Sequence, residues 1–221
     1  MPSLRIYLTV ALLGFCLSAS PIQAAESPQS AEVQRSLEKL AERKLPEAEQ
    51  LAIRQTLEKT LSLLTEQADS KKRLSDLKQQ LEQAPKLIDE AQRELTRLKA
   101  SEPSQVAQRH AKTAVPELET LLNERSNQLS DWQKQIGEAN SLIITAQTRP
   151  ERAQAEISRN QTRTQEINNA LKTGKESGKP LTPERRDLLI AELAQLDALT
   201  QLRRQELAGN SLLQDLGSSQ R

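Results

Sequence analysis

Residues 47–84 read EAEQLAIRQTLEKTLSLLTEQADSKKRLSDLKQQLEQA, and this stretch decides the fold. Its apolar residues follow the three- and four-residue spacing of one face of an α-helix, at Leu57, Leu61, Leu64, Ala68, Leu74, Leu77 and Leu81. At 1.5 Å per residue such a helix is about 57 Å long. Because that length exceeds the width of a compact small domain, the stretch predicts an arm of the coiled-coil type.

Shorter apolar repeats on either side predict further helices. They lie over about 30–44, 87–100, 116–147, 151–172 and 183–208. Prolines mark most of the boundaries, because proline disfavours helix in the residue before it but is tolerated in the first helical turn. Pro85 is expected to kink or break the long helix. Pro150, followed by Glu151 and Arg152, is expected to begin a new helix after a sharp joint.

Two glycine-containing segments are expected to separate the last helices. Residues 173–180 predict a flexible, polar connection. Gly209 predicts a helix stop, and after Asn210 the spacing of Ser211 and Gln214 predicts a capping box that opens one more helix. That helix is expected to end almost at once, after Leu216.

The composition beyond the first 25 residues favours an all-α fold. Trp132 is the only aromatic residue there, and no Met remains. Aromatic side chains carry much of the buried area in compact cores, whereas this chain is dominated by the strong helix formers Ala, Leu, Glu, Gln, Lys and Arg. We therefore expect elongated antiparallel helical hairpins or a coiled-coil bundle with narrow aliphatic seams.

The first 25 residues have the layout of a cleavable export signal. Residues 6–17 form an apolar run behind Arg5, and the polar segment that follows ends in Ala24 and Ala25. Twelve apolar residues are too few for a permanent anchor, which takes roughly 20. We expect a signal peptide over 1–25, a helical periplasmic domain over 26–216 and a short tail over 217–221.

The charge balance argues against a nucleic-acid-binding protein, and the position of the only cysteine argues against disulfide bonds and a lipid anchor. Removing Arg5 with the leader leaves 30 basic and 30 acidic residues, whereas nucleic-acid binders carry a basic excess. The only cysteine, Cys16, lies in the leader, so the exported chain has no thiol for a disulfide. Phe15 stands where bacterial lipoprotein signals place a small residue, so a lipid anchor is not expected either.

No residue pattern points to catalysis. His110 is the sole histidine, while a metal site needs several converging ligands. The sequence has no Gly-rich phosphate loop, nucleophile elbow or His-containing triad. We expect no enzymatic activity, no cofactor and no metal.

Trp132 has two interpretations. A lone tryptophan on an aliphatic helix is a candidate interface anchor. Alternatively it fills a wide position in a helix seam within the chain, beside Leu129 and Ile136. The second interpretation is preferred from the sequence.

Three short motifs carry a resemblance to a known family. They are Leu118-Glu119, Thr148 with Pro150-Glu151-Arg152, and Gly209-Asn210-Ser211 followed by Leu213-Gln214-Asp215. Over about residues 30–216 the chain resembles the periplasmic N-terminal region, or MscS porin domain, of the large mechanosensitive channels of the MscS superfamily, MscK type.

The resemblance implies an extracytoplasmic helical arm that precedes the transmembrane helices and pore of full-length family members. Such channels open under membrane tension and release solutes after hypo-osmotic shock. No stretch after the leader reaches the roughly 18 apolar residues of a membrane-spanning helix, so we expect the pore part to be absent and the role to be structural or coupling. The implied partners are the transmembrane portion, other channel subunits and further copies of this chain, with inner-membrane association only within a full-length channel. The alternative is a free periplasmic coiled-coil adaptor or chaperone.

Overall fold

A computed structural model describes residues 27–100 and 109–220; the predicted leader lies outside them. The described chain contains a short helix α1 (Ser30–Glu38), a 3-10 helix (Lys39–Glu42) and four further helices. These are α2 (Glu47–Ala100), α3 (Val115–Thr173), α4 (Pro183–Ala208) and α5 (Asn210–Ser219). Two short strands, β1 (Lys175–Glu176) and β2 (Lys179–Pro180), form a hairpin before α4. The predicted all-α class is confirmed.

Neither internal proline ends its helix. α2 runs through Pro85, and α3 runs through Pro150 over 59 residues. The expected boundary at Pro150, with Glu151 and Arg152 opening a new helix, is therefore wrong. A proline inside a helix costs about 3 kcal/mol because it leaves a carbonyl unpaired and crowds the preceding turn. Packing offsets this cost, since Ala84 and Ala146 in the adjoining turns are fully buried.

Helix α4 is the centre of the structure. α4 and α5 lie between α2 and α3, which make almost no contact with each other. The four consecutive residues 188–191 are all buried, and four successive positions cover the whole circumference of a helix. Leu188 and Ala191 pack against Leu63 of α2. A helical turn that is apolar all round in this way belongs in an interior, whereas further along α4 Asp197, Gln201 and Arg204 are exposed.

Polar contacts fix the register of α3 on α4. The side-chain amide of Asn160, which is buried, donates to Thr200 Oγ1 at 3.2 Å. Arg163 binds Glu192 through two bonds, Nε to Oε1 at 2.7 Å and Nη2 to Oε2 at 3.0 Å. This bidentate bond to Glu192 raises the pKa of Arg163. Because each contact joins residues that must be level with one another, α3 cannot slide along α4 without breaking both.

An ordered hairpin replaces the expected loop over residues 173–180. Gly174 ends α3 in the left-handed conformation at φ +66°, and Ser177 and Gly178 both have positive φ in the two-residue turn. Thr182 then caps α4 by accepting a bond from the backbone N–H of Arg185. The Arg185 side chain clamps Glu176 through bonds of 2.6 and 2.7 Å.

The joint between α4 and α5 is a single residue, Gly209. It ends α4 as predicted, but at φ −90° rather than in the left-handed region. A Cβ on Gly209 would lie 2.4 Å from Leu81 Cδ1 of α2, so a side chain there would have to displace the Leu81 side chain. The predicted capping box is wrong, because α5 begins at Asn210 without a side-chain cap. The helix also continues past Leu216 to Ser219, with Leu213, Leu216 and Gly217 buried.

Two helical glycines allow a matched test of this packing. A Cβ on Gly217 would lie 3.0 Å from the carbonyl oxygen of Ala139 and 2.9 Å from Ile143 Cγ1, whereas Gly137 has nothing within 4 Å. Gly137→Ala should raise the free energy of unfolding by about 0.5–1 kcal/mol, the usual gain of alanine over glycine in a helix. Gly217→Ala should instead lower it by about 1–3 kcal/mol through overpacking. Urea unfolding followed by circular dichroism measures both; equal gains would show that α5 does not pack on α3 as described.

The ion pair between Arg185 and Glu176 of the hairpin makes the stability of the fold depend on pH. The Arg185 hydrogen bond lowers the pKa of Glu176 below its ordinary value. A carboxyl with a lowered folded-state pKa stabilises the fold above its unfolded pKa, roughly 4.3, and loses that contribution as the pH falls through the folded value. Glu176→Gln should therefore cost up to about 1 kcal/mol at pH 7 for this partly exposed pair. In urea titrations at pH 7 and pH 3, the difference from the wild-type chain should shrink at pH 3, and an unchanged difference would contradict the clamp.

Candidate functional site

A seven-residue repeat runs along the whole inner face of α3. One set of positions is Leu122, Leu129, Ile136, Ile143, Pro150, Ile157, Thr164 and Leu171, and the other is Leu118, Arg125, Trp132, Ala139, Ala146, Ala153, Asn160 and Ile167. This is the pattern of a coiled-coil seam. From Ala139 onward the seam is buried or half-buried against α4 and α5, while every position from Leu118 to Ile136 is exposed.

The inner face of α2 shows the same repeat and the same change. Its two sets are Ile53, Thr60, Gln67, Leu74, Leu81, Ile88 and Leu95, and Thr56, Leu63, Ser70, Leu77, Ala84, Ala91 and Leu98. All positions through Ala91 are at least half-buried, but Leu95 and Leu98 are exposed. Both seams therefore lose their cover toward the same end of the molecule.

The seam positions stop being buried at the point where α5 ends. Gly217 lies against Ala139 and Ile143, and α5 stops two residues later at Ser219. In the part of the chain that the structure describes, the continuation of both seams is solvent-exposed. We call it the distal seam, formed by the seam positions Leu95, Leu98, Leu118, Leu122, Arg125, Leu129, Trp132 and Ile136. On α3 alone, residues 115–138 span about 36 Å at 1.5 Å per residue. A largely apolar face of this length, interrupted by Arg125, is a mark of an interaction site.

Trp132 lies near the middle of the distal seam. It is 52% exposed, and its neighbours Leu129 and Ile136 are exposed with it. The preferred interpretation, that Trp132 fills a seam within the chain, is therefore wrong for the described residues. Its role as an interface anchor stays a prediction.

The turn of α3 around Pro150 lines a cavity of about 200 Å³ between α2, α3 and α4. Arg149 and Arg152 reach it from α3, Arg73 from α2 and Arg203 from α4. Arg152 binds Thr148 rather than a carboxylate, through Oγ1 at 2.7 Å and the carbonyl oxygen at 3.3 Å. Arg149 Nη1 is buried and has no hydrogen-bond partner in the described part of the chain.

Arg203 is the one arginine of this cavity with carboxylate partners in the described chain. Its Nε donates to Glu156, and its Nη1 donates to Glu206 at 2.8 Å. Burial acts to lower the pKa of Arg203, but the bonds to Glu206 and Glu156 outweigh it and raise the pKa overall. The nearby joint residue Asn210 is not part of this cluster; its Oδ1 is buried without a partner.

The described residues hold no group of three or more His, Cys, Asp or Glu side chains placed to bind a metal ion. His110 is exposed and lies just before the turn at residues 111–112 that leads into α3. A search of the helices within 27–100 and 109–220 finds none with an apolar stretch able to cross a membrane. The surfaces that remain to be explained are the distal seam and the arginine cavity.

Comparison with known proteins identifies the family. The mechanosensitive ion channel porin domain matches residues 36–221, which is most of the chain. The chain belongs to the mechanosensitive ion channel porin domain family. This is a family of channel domains and not a family of enzymes, and the resemblance inferred from the short motifs is confirmed.

The mechanosensitive channel MscK of Escherichia coli (strain K12) is similar to this porin domain. The two are 28% identical over 195 residues, which cover 88% of this chain and 17% of the channel. The porin domain chain thus spans about a sixth of the length of this curated relative. No solved structure matches this porin domain chain.

Sequence reasoning singled out Trp132 with Leu129 and Ile136 but not the extent of the distal seam, and it missed the arginine cavity, for identifiable reasons. The seven-residue repeat is visible in the sequence, but which half of it is covered depends on where α5 ends. Arg73, Arg149 and Arg203 are far apart in the chain, and only the packing of three helices brings them to one cavity. The one available signal was the pair Arg149 and Arg152, which lie on one helix face only if α3 continues through Pro150.

Proposed function

We propose that this porin domain is an extracytoplasmic helical arm of an MscK-like mechanosensitive channel, exported by the 1–25 leader and active in the response to hypo-osmotic stress. Its role is structural and coupling rather than conducting. The observation that carries the proposal is the architecture: a packed three-helix body continues into two long helix ends that present a regular, uncovered seam. Such a body can hold a contact surface at a fixed distance from the rest of a channel.

The occupant that we propose for the distal seam is the distal seam of a second copy. Continuity supports this, because the seven-residue repeat is the same one that α4 and α5 cover further along. A helix placed on it would extend an interface that already exists. Charge supports it too: residues 115–138 of α3 carry five acidic and two basic side chains, and residues 86–100 of α2 carry four basic and three acidic ones. Two copies arranged antiparallel would place the acidic α3 end of each against the more basic α2 end of the other.

Self-association can be measured with a single intrinsic probe, since Trp132 is the only tryptophan in the chain. We expect a reversible dimer in sedimentation equilibrium, with a blue shift of tryptophan emission and weaker acrylamide quenching as concentration rises. Leu122→Glu with Leu129→Glu should weaken the dimer at least tenfold, because buried charges replace the apolar contacts. Ile144→Glu is the matched control: Ile144 is on the same helix and exposed, but it lies off the seam.

Two results would overturn the self-docking proposal. One is a chain that stays monomeric with a solvent-exposed Trp132 at all concentrations. The other is an equal loss of association in the seam variant and in Ile144→Glu.

The channel role is tested by survival of osmotic downshift. In the source bacterium with its other tension-gated channels deleted, removing the segment that encodes residues 30–216 should lower survival after transfer to dilute medium. The wild-type gene and Ile144→Glu should restore survival, and Leu122→Glu with Leu129→Glu should not. The exported protein in the same cells should start at Ala25 or Glu26, as N-terminal sequencing would show. Unchanged survival on deletion would refute the channel role and favour the free periplasmic adaptor.

A further inference from the structure

The cavity at the proline turn of α3 has more positive charge than its own residues neutralise. Four arginines line it, and two carboxylates, Glu156 and Glu206, accompany them. Both carboxylates are bound to Arg203. In the part of the chain that the structure describes, Arg73, Arg149 and Arg152 therefore have no carboxylate partner, which leaves a formal excess of two positive charges.

The helix geometry makes this excess unfavourable without a ligand. Arg149 and Arg152 are three residues apart on α3, so they are neighbours on one helix face, and like charges at this spacing repel. Arg203 approaches from α4 on the other side of the same cavity. The buried Nη1 of Arg149 has no solvent exposure and no hydrogen-bond partner among residues 27–100 and 109–220. A buried donor on a charged group that makes no hydrogen bond costs more than a neutral one.

We propose that this cavity binds a small oxyanion such as inorganic phosphate or sulfate. Guanidinium groups present planar pairs of N–H donors that match oxyanion oxygens, and such charge-assisted bonds are the strong ones. A single anion would supply the acceptor that Arg149 Nη1 lacks and would offset the excess charge of Arg73 and Arg152. The volume of about 200 Å³ is several times the roughly 30 Å³ of one water molecule in the liquid, so the anion fits.

The anion would also link the three long helices. Its ligands come from α2, α3 and α4, and α2 and α3 otherwise barely touch. Binding would thus join α2 to α3 across α4. The site is independent of the self-association proposed above, because none of its residues belongs to the distal seam.

The test is isothermal titration of the full chain with sodium phosphate, with sodium chloride holding the ionic strength constant. We expect saturable binding of one phosphate per chain and a higher thermal unfolding midpoint when it is bound. Arg149→Gln should weaken binding about tenfold or more and abolish the rise in midpoint. Without phosphate it should unfold at the same temperature as the wild type or higher, because the unpaired buried charge is gone.

Two further variants keep the test decisive. Arg73→Gln changes an exposed side chain and should fold normally while weakening phosphate binding. Arg125→Gln is the matched control, since Arg125 is also an arginine of α3 but lies on the distal part, bonded to Gln128, and it should bind phosphate as the wild type does. No binding at constant ionic strength, or equal effects of Arg149→Gln and Arg125→Gln, would overturn the site. Retention on phosphatidylglycerol vesicles that Arg149→Gln abolishes would overturn the assignment to a free ion.

Discussion

The burial of one turn of α4 on all sides is the interaction on which the rest of the structure depends. Leu188, Leu189, Ile190 and Ala191 are consecutive and all buried, so this turn requires a neighbour in every direction. α2 and α3 supply those neighbours and hardly contact each other. Without α4, the two longest helices would have almost no shared surface to hold them at a fixed distance and angle.

This arrangement explains why small residues stand on the inner face of α3. Ala139, Ala146 and Ala153 recur every seven residues and are almost completely buried. A methyl group lets α4 and α5 approach closely, and the close approach is what excludes a side chain at Gly217. Closer to the distal end the same positions carry Trp132, Arg125 and Leu118, which are too large for so close a contact. The change in side-chain size therefore coincides with the change from covered to uncovered seam.

The two prolines show how packing alters the meaning of a local signal. In an isolated helix, Pro85 and Pro150 would favour a break, since each removes a backbone donor and crowds the turn before it. Here Ala84 and Ala146, which precede Pro85 and Pro150, are fully buried. Near Pro150 the Thr148 hydroxyl also donates hydrogen bonds to the carbonyls of Ile144 and Thr145. The continuous helix places Arg149 and Arg152 on one face. The arginine cavity therefore exists because the proline does not end the helix.

The sequence by itself determined the helical class, the outer bounds of most helices and the membership of a channel-domain family. These properties depend on residues close together in the chain, where propensity and spacing act directly. Only the tertiary structure decided that both prolines are internal, that Gly209 serves close packing rather than a left-handed turn, that Trp132 is exposed and that four distant arginines share a cavity. Each of these depends on which helix lies beside which, and a repeat of seven residues specifies that a face is to be covered without specifying what covers it.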